Sequence, residues 1–262
     1  MEHSATLVSC YYLLRKSKHS AQQYDNWIKN LLLNLTSNII IFVGKNEEKY
    51  ISQILQNNNL LKTNKKNYLL IVKEFDDLPL VAKYSPDFWT NQENIDKQKW
   101  CGRGQGCYKL WNSKFHLLKE AIQLNPFKSD KFIWNDIGNI RNEDVSIKFL
   151  NTYPTYNRIS SDKLDIVLLK PFHNQTQFFF QDEVHFSGSL FGGGKEILLE
   201  LCELFYLYFD IYAKKNMFIG CDQQILATVY LNNREKFNCI VPPINCMDID
   251  EWFYLYKYYF SL

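Results

Sequence analysis

Nowhere does the chain run apolar for the ~20 residues that a membrane-spanning helix needs. The first apolar run, Thr6 to Leu14, is too short to span, has no basic stretch before it and no cleavage-like site after it. It reads as a strand, and no leader or transmembrane segment is expected. An excess of one charge is also missing: 30 basic residues face 28 acidic ones, a net +2. That balance excludes a dedicated nucleic-acid binder, though a local basic pocket for a small anion stays open. Glycine is sparse at 10 and proline at 7, which excludes collagen-like and low-complexity chains. Neither a Walker A loop nor G-x-G-x-x-G is present. Cysteine numbers seven, an odd count with no C-x2-C pair; Cys101 and Cys107 are six apart, Cys239 and Cys246 seven. That spacing is wrong for a zinc site and suits buried thiols of a reducing compartment. The expected location is the cytoplasm, of a bacterium or, for a viral source, of its host cell.

What is present is core material. Hydrophobic residues make up 46% of the 262, charged residues 22% and aromatics 16%, with 17 Tyr and 19 Phe. The richness in Asn, Lys and Ile suits an AT-rich genome. Strands are expected at 6–13, 39–43, 68–72, 131–134, 164–169 and 237–241, with one or two more in 176–191. The Ile39–Val43 run, closed by Gly44, suits a strand buried on both faces. Helical spacing marks 20–35, 49–61, 196–212 and a segment starting near Asp222. The clearest stripe is Tyr108, Trp111, Phe115, Leu118 and Ile122, stopping before Asn125-Pro126. Residues 62–67 read as a solvated basic turn, 85–107 as a long loop and Gly192 to Gly194 as a break. Strands alternate with helices, so the fold class is α/β: a mostly parallel central sheet flanked by helices, in one domain over 1–262.

Four segments carry candidate chemistry. Strand 131–134 runs into Asn135-Asp136-Ile137-Gly138-Asn139-Ile140-Arg141. A strand-end carboxylate can hold a cation that bridges a diphosphate, and Arg141 can pair with phosphate. The plain alternative is an Asp-initiated turn. The second segment, Val184 to Gly194, holds four of the ten glycines, at 188, 192, 193 and 194. Clustered glycine means tight turns or close ligand approach. His185 within it is a candidate cation or phosphate contact, and equally an ordinary core or surface histidine. The third, Gly220-Cys221-Asp222-Gln223, opens a helix; Asp222 is either its N-cap or a carboxylate shown to a polar substrate. The fourth is Lys109 and Lys114, helix lysines able to neutralise phosphate or simply solvated.

Taken together, Tyr11-Tyr12, Tyr24-Asp25-Asn26-Trp27, Ile41-Phe42-Val43, Tyr108-x-x-Trp111-x-x-Lys114, Asn125-Pro126-Phe127, Trp134-x-Asp136-x-Gly138-x-x-Arg141, Gly192-Gly193 and Asp222-Gln223 resemble the HtrL/YibB family over about residues 5–245. That family is associated with surface polysaccharide loci and is similar to glycosyltransferases of the GT-A fold. The resemblance implies a single GT-A-like domain moving a sugar from a nucleotide donor, expected to be UDP-linked, to a glycan or other hydroxyl acceptor. It implies donor and nucleotide contacts at Ser9, Tyr11, Tyr12, Lys114, Trp134, Asn135, Asp136, Arg141 and Gln223, with Cys10 bordering the same pocket. It further implies a divalent cation, manganese or magnesium, at Asp136 with His185, a base or donor-sugar ligand at Asp222, and acceptor-facing Gly192, Gly193 and Gly194. Where such enzymes carry a longer acidic motif, this chain has the single carboxylate of Asn135-Asp136. A non-catalytic nucleotide- or carbohydrate-binding module on the same fold is the alternative, and a nucleotidyltransferase a third. The aromatic-rich segment 247–262 either packs over the core or touches a membrane surface.

Overall fold

The computed structural model describes residues 4–17, 19–57, 68–144, 150, 153–173, 178, 183–244 and 249–260. The basic turn expected at 62–67 and residues 176–177 and 179–182 of the expected strand region lie outside them.

Seven strands form one sheet: β1 (Ala5–Tyr11), β2 (Asn38–Val43), β3 (Tyr68–Val72), β4 (Lys131–Asn135), β5 (Leu164–Leu168), β6 (Phe186–Gly194) and β7 (Phe237–Ile240), in the order β3-β2-β1-β4-β6-β5-β7. All neighbouring pairs are parallel except those made by β6, which runs antiparallel to β4 and β5. The helices are α1 (Ala21–Asn34), α2 (Lys45–Asn57), α3 (Pro79–Lys83), α4 (Pro86–Ile95), α5 (Gln105–Leu124), α6 (Lys195–Lys214), α7 (Asp222–Asn232) and α8 (Tyr254–Phe260). Among the described residues no helix is long and apolar enough to cross a membrane.

Side chains alternate across a strand, so a fully apolar strand feeds two cores. In β2, Ile39, Ile41 and Val43 join α1, α2 and α8, while Ile40 and Phe42 join α3 to α7. The same division puts Leu7, Ile133 and Leu190 on the first face, with Val8, Phe132, Trp134 and Phe191 on the second. Local signals set the helix starts. Ser20 and Gln23 form a capping box on α1, and Asn125, at φ 35°, ends α5 in the left-handed region.

Two expectations give way. The stretch 85–107 is not a long loop: Ser85 caps α4, with Pro86 at its first position, and α5 already begins at Gln105. Proline there starts a helix rather than breaking one. Nor do Gly192, Gly193 and Gly194 form a turn. They are strand residues paired with Ile133, Phe132 and Lys131. Neighbouring backbone crowds them: an added Cβ would sit 2.6 Å from the Lys163 carbonyl oxygen at Gly193 and 2.0 Å from that of Ser161 at Gly194.

Candidate functional site

The chain leaves β1 towards β2 on one side, and later β4 takes the other side of β1. At such a reversal the flanking connections diverge, opening a crevice at the carboxyl ends of the two strands, where ligands of open α/β sheets bind. Here the crevice lies between Ser9–Tyr12 and the Asp136 turn. The antiparallel β6 brings Gly188 and Ser189 alongside, and Asp136 N–H donates to the Ser189 carbonyl at 2.8 Å.

At its centre is one ammonium. Lys114, on the inner face of α5, is 4% exposed. Its Nζ donates to the Gly188 carbonyl at 2.8 Å and lies 3.0 Å from Asp222 Oδ2 and 3.1 Å from Asp136 Oδ1. The ammonium thus donates hydrogen bonds to Gly188 and Asp136 and forms an ion pair with Asp222. Burial alone would lower the lysine's pKa; the Asp136 and Asp222 carboxylates outweigh it and hold Lys114 above the usual lysine range. Asp222, also 4% exposed, sits in the first turn of α7, where its Oδ1 accepts the Gln223 N–H at 3.0 Å. Burial pushes its carboxyl up, and Lys114 opposes that push. It is not the N-cap, a position held by Cys221. Asn112, two residues before Lys114 on α5, fixes the segment ahead of Asp222 by donating to the Ile219 carbonyl at 2.8 Å. Asp136 is the open member of the trio at 31% exposure, and the Trp134 indole N–H donates to its Oδ1 at 2.7 Å.

The other expected residues divide. Tyr11 is half-buried beside Tyr50, with ring centroids 5.9 Å apart. Tyr12 is buried, its hydroxyl donating to the Lys73 carbonyl at 3.1 Å. Ser9 is buried under the turn, bonded to the Asn135 carbonyl at 2.6 Å. The Asn135 side chain is buried and engaged by the Tyr256 hydroxyl and the Asp136 carbonyl, so it supports the turn rather than facing the crevice. Arg141 is exposed, its guanidinium 4.8 Å from the Trp27 ring centre and 5.2 Å from that of Phe253. Gly192, Gly193 and Gly194 pair with the first residues of β4, at the end of the sheet opposite Asp136, so an acceptor-facing role does not fit them. The glycine that meets the site is Gly188, where a Cβ would lie 3.0 Å from Asp222 Oδ2. Its signal was in the same glycine cluster, but a single glycine flanked by serines stands out less than three in a row.

For the expected divalent cation the structure presents the Asp136 carboxylate alone and does not bring His185 to it. Asp136 offers one carboxylate whose two oxygens already face Lys114 Nζ at 3.1 and 3.2 Å. His185 is four residues along the chain from Ser189, ~13 Å of strand. It lies 2.9 Å from the Lys170 carbonyl and stacks on Phe172. Among the described residues no three His, Cys, Asp or Glu side chains converge as a metal site.

Near Asp222 lies a narrow cleft that composition and motif did not reveal, lined by Gln98, Arg103, Glu183, Phe218, Gln223 and Gln224 among others. The Gln223 amide donates to the Phe186 carbonyl at 2.9 Å. Arg103 is tied to Gln98 and to Cys221 Sγ, with Asp96 3.6 Å away.

Among solved structures, the apo crystal structure of mouse xyloside xylosyltransferase 1 is similar to this chain, with 12% identity, a TM-score of 0.48, and coverage of 99% of this chain and 93% of that one. No curated protein matches the chain in sequence. The family model described as bacterial protein of unknown function (HtrL_YibB) matches residues 5–261, and the chain belongs to that family.

Proposed function

We propose that this protein is a glycosyltransferase that takes a sugar from a nucleoside diphosphate donor, a uridine nucleotide by the family resemblance, and places it on a hydroxyl of a glycan acceptor. The observation that carries the proposal is the Lys114 clamp, a buried ammonium shared by two carboxylates at the carboxyl ends of the central strands. Sugar hydroxyls donate and accept together, and a fixed ammonium–carboxylate pair matches both needs. Asp222 and Lys114 therefore hold the donor sugar. Asp222 acts as a sugar ligand rather than a base, because its carboxylate is buried against the ammonium. Lys114 and the rim residue Arg141 supply positive charge near the leaving diphosphate. Tyr11, half-buried at the end of β1, borders the nucleoside.

The test is calorimetry with UDP, GDP and ADP, each with and without Mn²⁺, followed by assay of nucleotide release from the matching donors. UDP binding with release of free UDP is expected. Asp136→Ala should cut turnover at least ~100-fold, the scale of one lost electrostatic contact, while the protein still folds. Binding without release would identify a binding module, and no binding of any nucleoside diphosphate would sink the proposal.

A further inference from the structure

Asp222 enters the site on a segment with no hydrogen-bond ladder of its own. Residues 217–221 lie between α6 and α7, in neither helix nor strand. Ile219, Gly220 and Cys221 are nonetheless buried. Buried backbone groups need partners, so such a stretch must borrow them from elsewhere. Two side-chain amides supply them. Gln92 on α4 donates from Nε2 to the Met217 carbonyl at 3.2 Å and accepts the Ile219 N–H on Oε1 at 2.8 Å. One side chain thus makes the two bonds that a residue of a neighbouring strand would make. Asn112 on α5 donates from Nδ2 to the Ile219 carbonyl at 2.8 Å and to that of Gly220 at 3.4 Å. Gly220 lies so close to α5 that a Cβ there would sit 2.9 Å from the Tyr108 ring. Gln92 and Asn112 are both fully buried. Burying a polar side chain costs free energy unless its bonds are made, and α4 buries only Trp89 besides Gln92. Asn112 stands two residues before Lys114, so one helix carries both the ammonium and a tie to the segment that delivers its carboxylate partner.

We infer that Gln92 and Asn112 are positioning residues: through the 217–221 segment they set where the Asp222 carboxylate meets Lys114 and, with it, the donor sugar. The inference rests on the transferase reading and adds to it two residues that act through Asp222. The connection is short, since Ile219, held at both its N–H and its carbonyl, is three residues from Asp222. A group misplaced by ~1 Å can cost ~100-fold in rate. A slack segment is therefore felt in turnover, while the nucleoside, bordered by Tyr11 across the crevice, does not depend on it.

The test uses the full chain with Gln92→Met and Asn112→Leu, which keep side-chain size and remove the amides. Thr6→Val, which cuts the buried hydroxyl bond to Ser129 at the far end of β1, is the destabilised control. Three quantities are read on each protein: the melting temperature, UDP affinity by calorimetry, and kcat for UDP release from UDP-glucose, UDP-galactose and UDP-N-acetylglucosamine. A fourth needs no activity: 15N NMR of the lysine ammonium groups, with Lys114→Met identifying the Lys114 signal. All three variants should melt several degrees lower, because buried groups lose partners. Gln92→Met and Asn112→Leu should also move the Lys114 signal and cut kcat at least ~10-fold, with UDP affinity within about twofold of the parent. Thr6→Val should keep its kcat and its Lys114 signal. Should one amide variant fail to fold, the other decides on the same readings, and failure of both would make the amides purely structural and overturn the inference. An unchanged kcat, an equal loss in Thr6→Val, a loss confined to UDP affinity, or a loss of kcat with the Lys114 signal unmoved overturns it as well. A parent that releases no UDP from any donor, with the Lys114 signal still moved by the amide variants, overturns the transferase reading and leaves the positioning of Asp222 supported.

Discussion

Lys114 holds together two carboxylates that would otherwise repel each other. Lys114 and Asp222 are both 4% exposed, so removing the ammonium leaves a buried carboxylate without a counter-charge. Breaking a buried pair from one side costs ~3–5 kcal/mol. Lys114→Met should therefore lower the melting temperature by roughly 6–15 °C in a chain of this size. Asp222→Asn alone should cost less, since Asp136 and the Gly188 carbonyl still face the ammonium. Combining the two substitutions should recover most of the Lys114→Met loss, because the uncompensated charge goes too. Thermal melts of the four proteins measure this coupling, and strictly additive losses would contradict it. The same pair sets a pH dependence. Burial raises the Asp222 carboxyl above its ordinary 3.8, with Lys114 opposing. As pH falls, Asp222 takes up its proton before an exposed aspartate would, so sugar transfer should decline at a pH above the usual carboxylate range. Asp222→Asn should lose turnover at neutral pH and show a flatter acid limb.

One scale up, α5 and α6 meet through an unusual contact. The His116 ring lies flat on Tyr206, with centroids 3.6 Å apart, and its backbone N–H donates to the Tyr206 hydroxyl at 2.8 Å. Burial, reinforced by the nearby Lys119, lowers the His116 pKa from 6.5 to about 4. The unfolded chain then binds a proton that the folded chain refuses between those two values. The resulting stability is fully present above about pH 6.5 and is lost as pH falls towards about 4. Replacing His116 with Phe keeps the stacked ring and removes the proton. The drop in melting temperature between pH 6.5 and 4 should shrink in that variant, and an unchanged drop would place the acid sensitivity elsewhere.

Elements also show what the sequence could and could not reveal. The first two strands and the α5 stripe were legible because burial on both faces, or on one helical face, leaves continuous or periodic apolar runs. Helix α4 was not, because it buries little, chiefly Trp89 and Gln92, and its opening proline resembles a breaker. The glycines of β6 were misread for a related reason. Glycine signals a turn locally, whereas here the demand comes from the Ser161 and Lys163 backbone packed across the strand, a tertiary contact that no local pattern records. Asp136, Lys114 and Asp222 were legible singly as residue types at strand and helix positions. Their meeting on one ammonium needed the strand order, and so did the displacement of His185 from Asp136.

At the scale of the whole molecule, the described C-terminal residues close the sheet rather than offer an aromatic surface to a membrane. Leu255, Tyr256 and Tyr259 are fully buried, and Phe253 nearly so. The Tyr259 hydroxyl donates to Asp165 Oδ2 at 3.0 Å on β5, the Trp252 indole N–H to Ser189 Oγ at 3.1 Å on β6, and the Tyr256 hydroxyl to the Asn135 side chain on β4. Three strands are thus tied by one segment, directly behind the Asp136 turn. Removing residues 251–262 should expose Ile133, Val167 and Leu190 of the same apolar layer and yield aggregated protein. The milder change, Tyr256→Phe, keeps the ring in the core and strips one hydroxyl from the buried Asn135. A buried polar group left without its partner costs ~1–3 kcal/mol, so the melting temperature should fall by a few degrees. Because Asn135 supports the turn from behind, UDP affinity below the melting transition should be unchanged. Calorimetry beside a thermal melt separates the two effects: weakened UDP binding in a folded Tyr256→Phe protein would make Asn135 part of the nucleotide site, and an unaltered melt would show that the hydroxyl bond carries no stability.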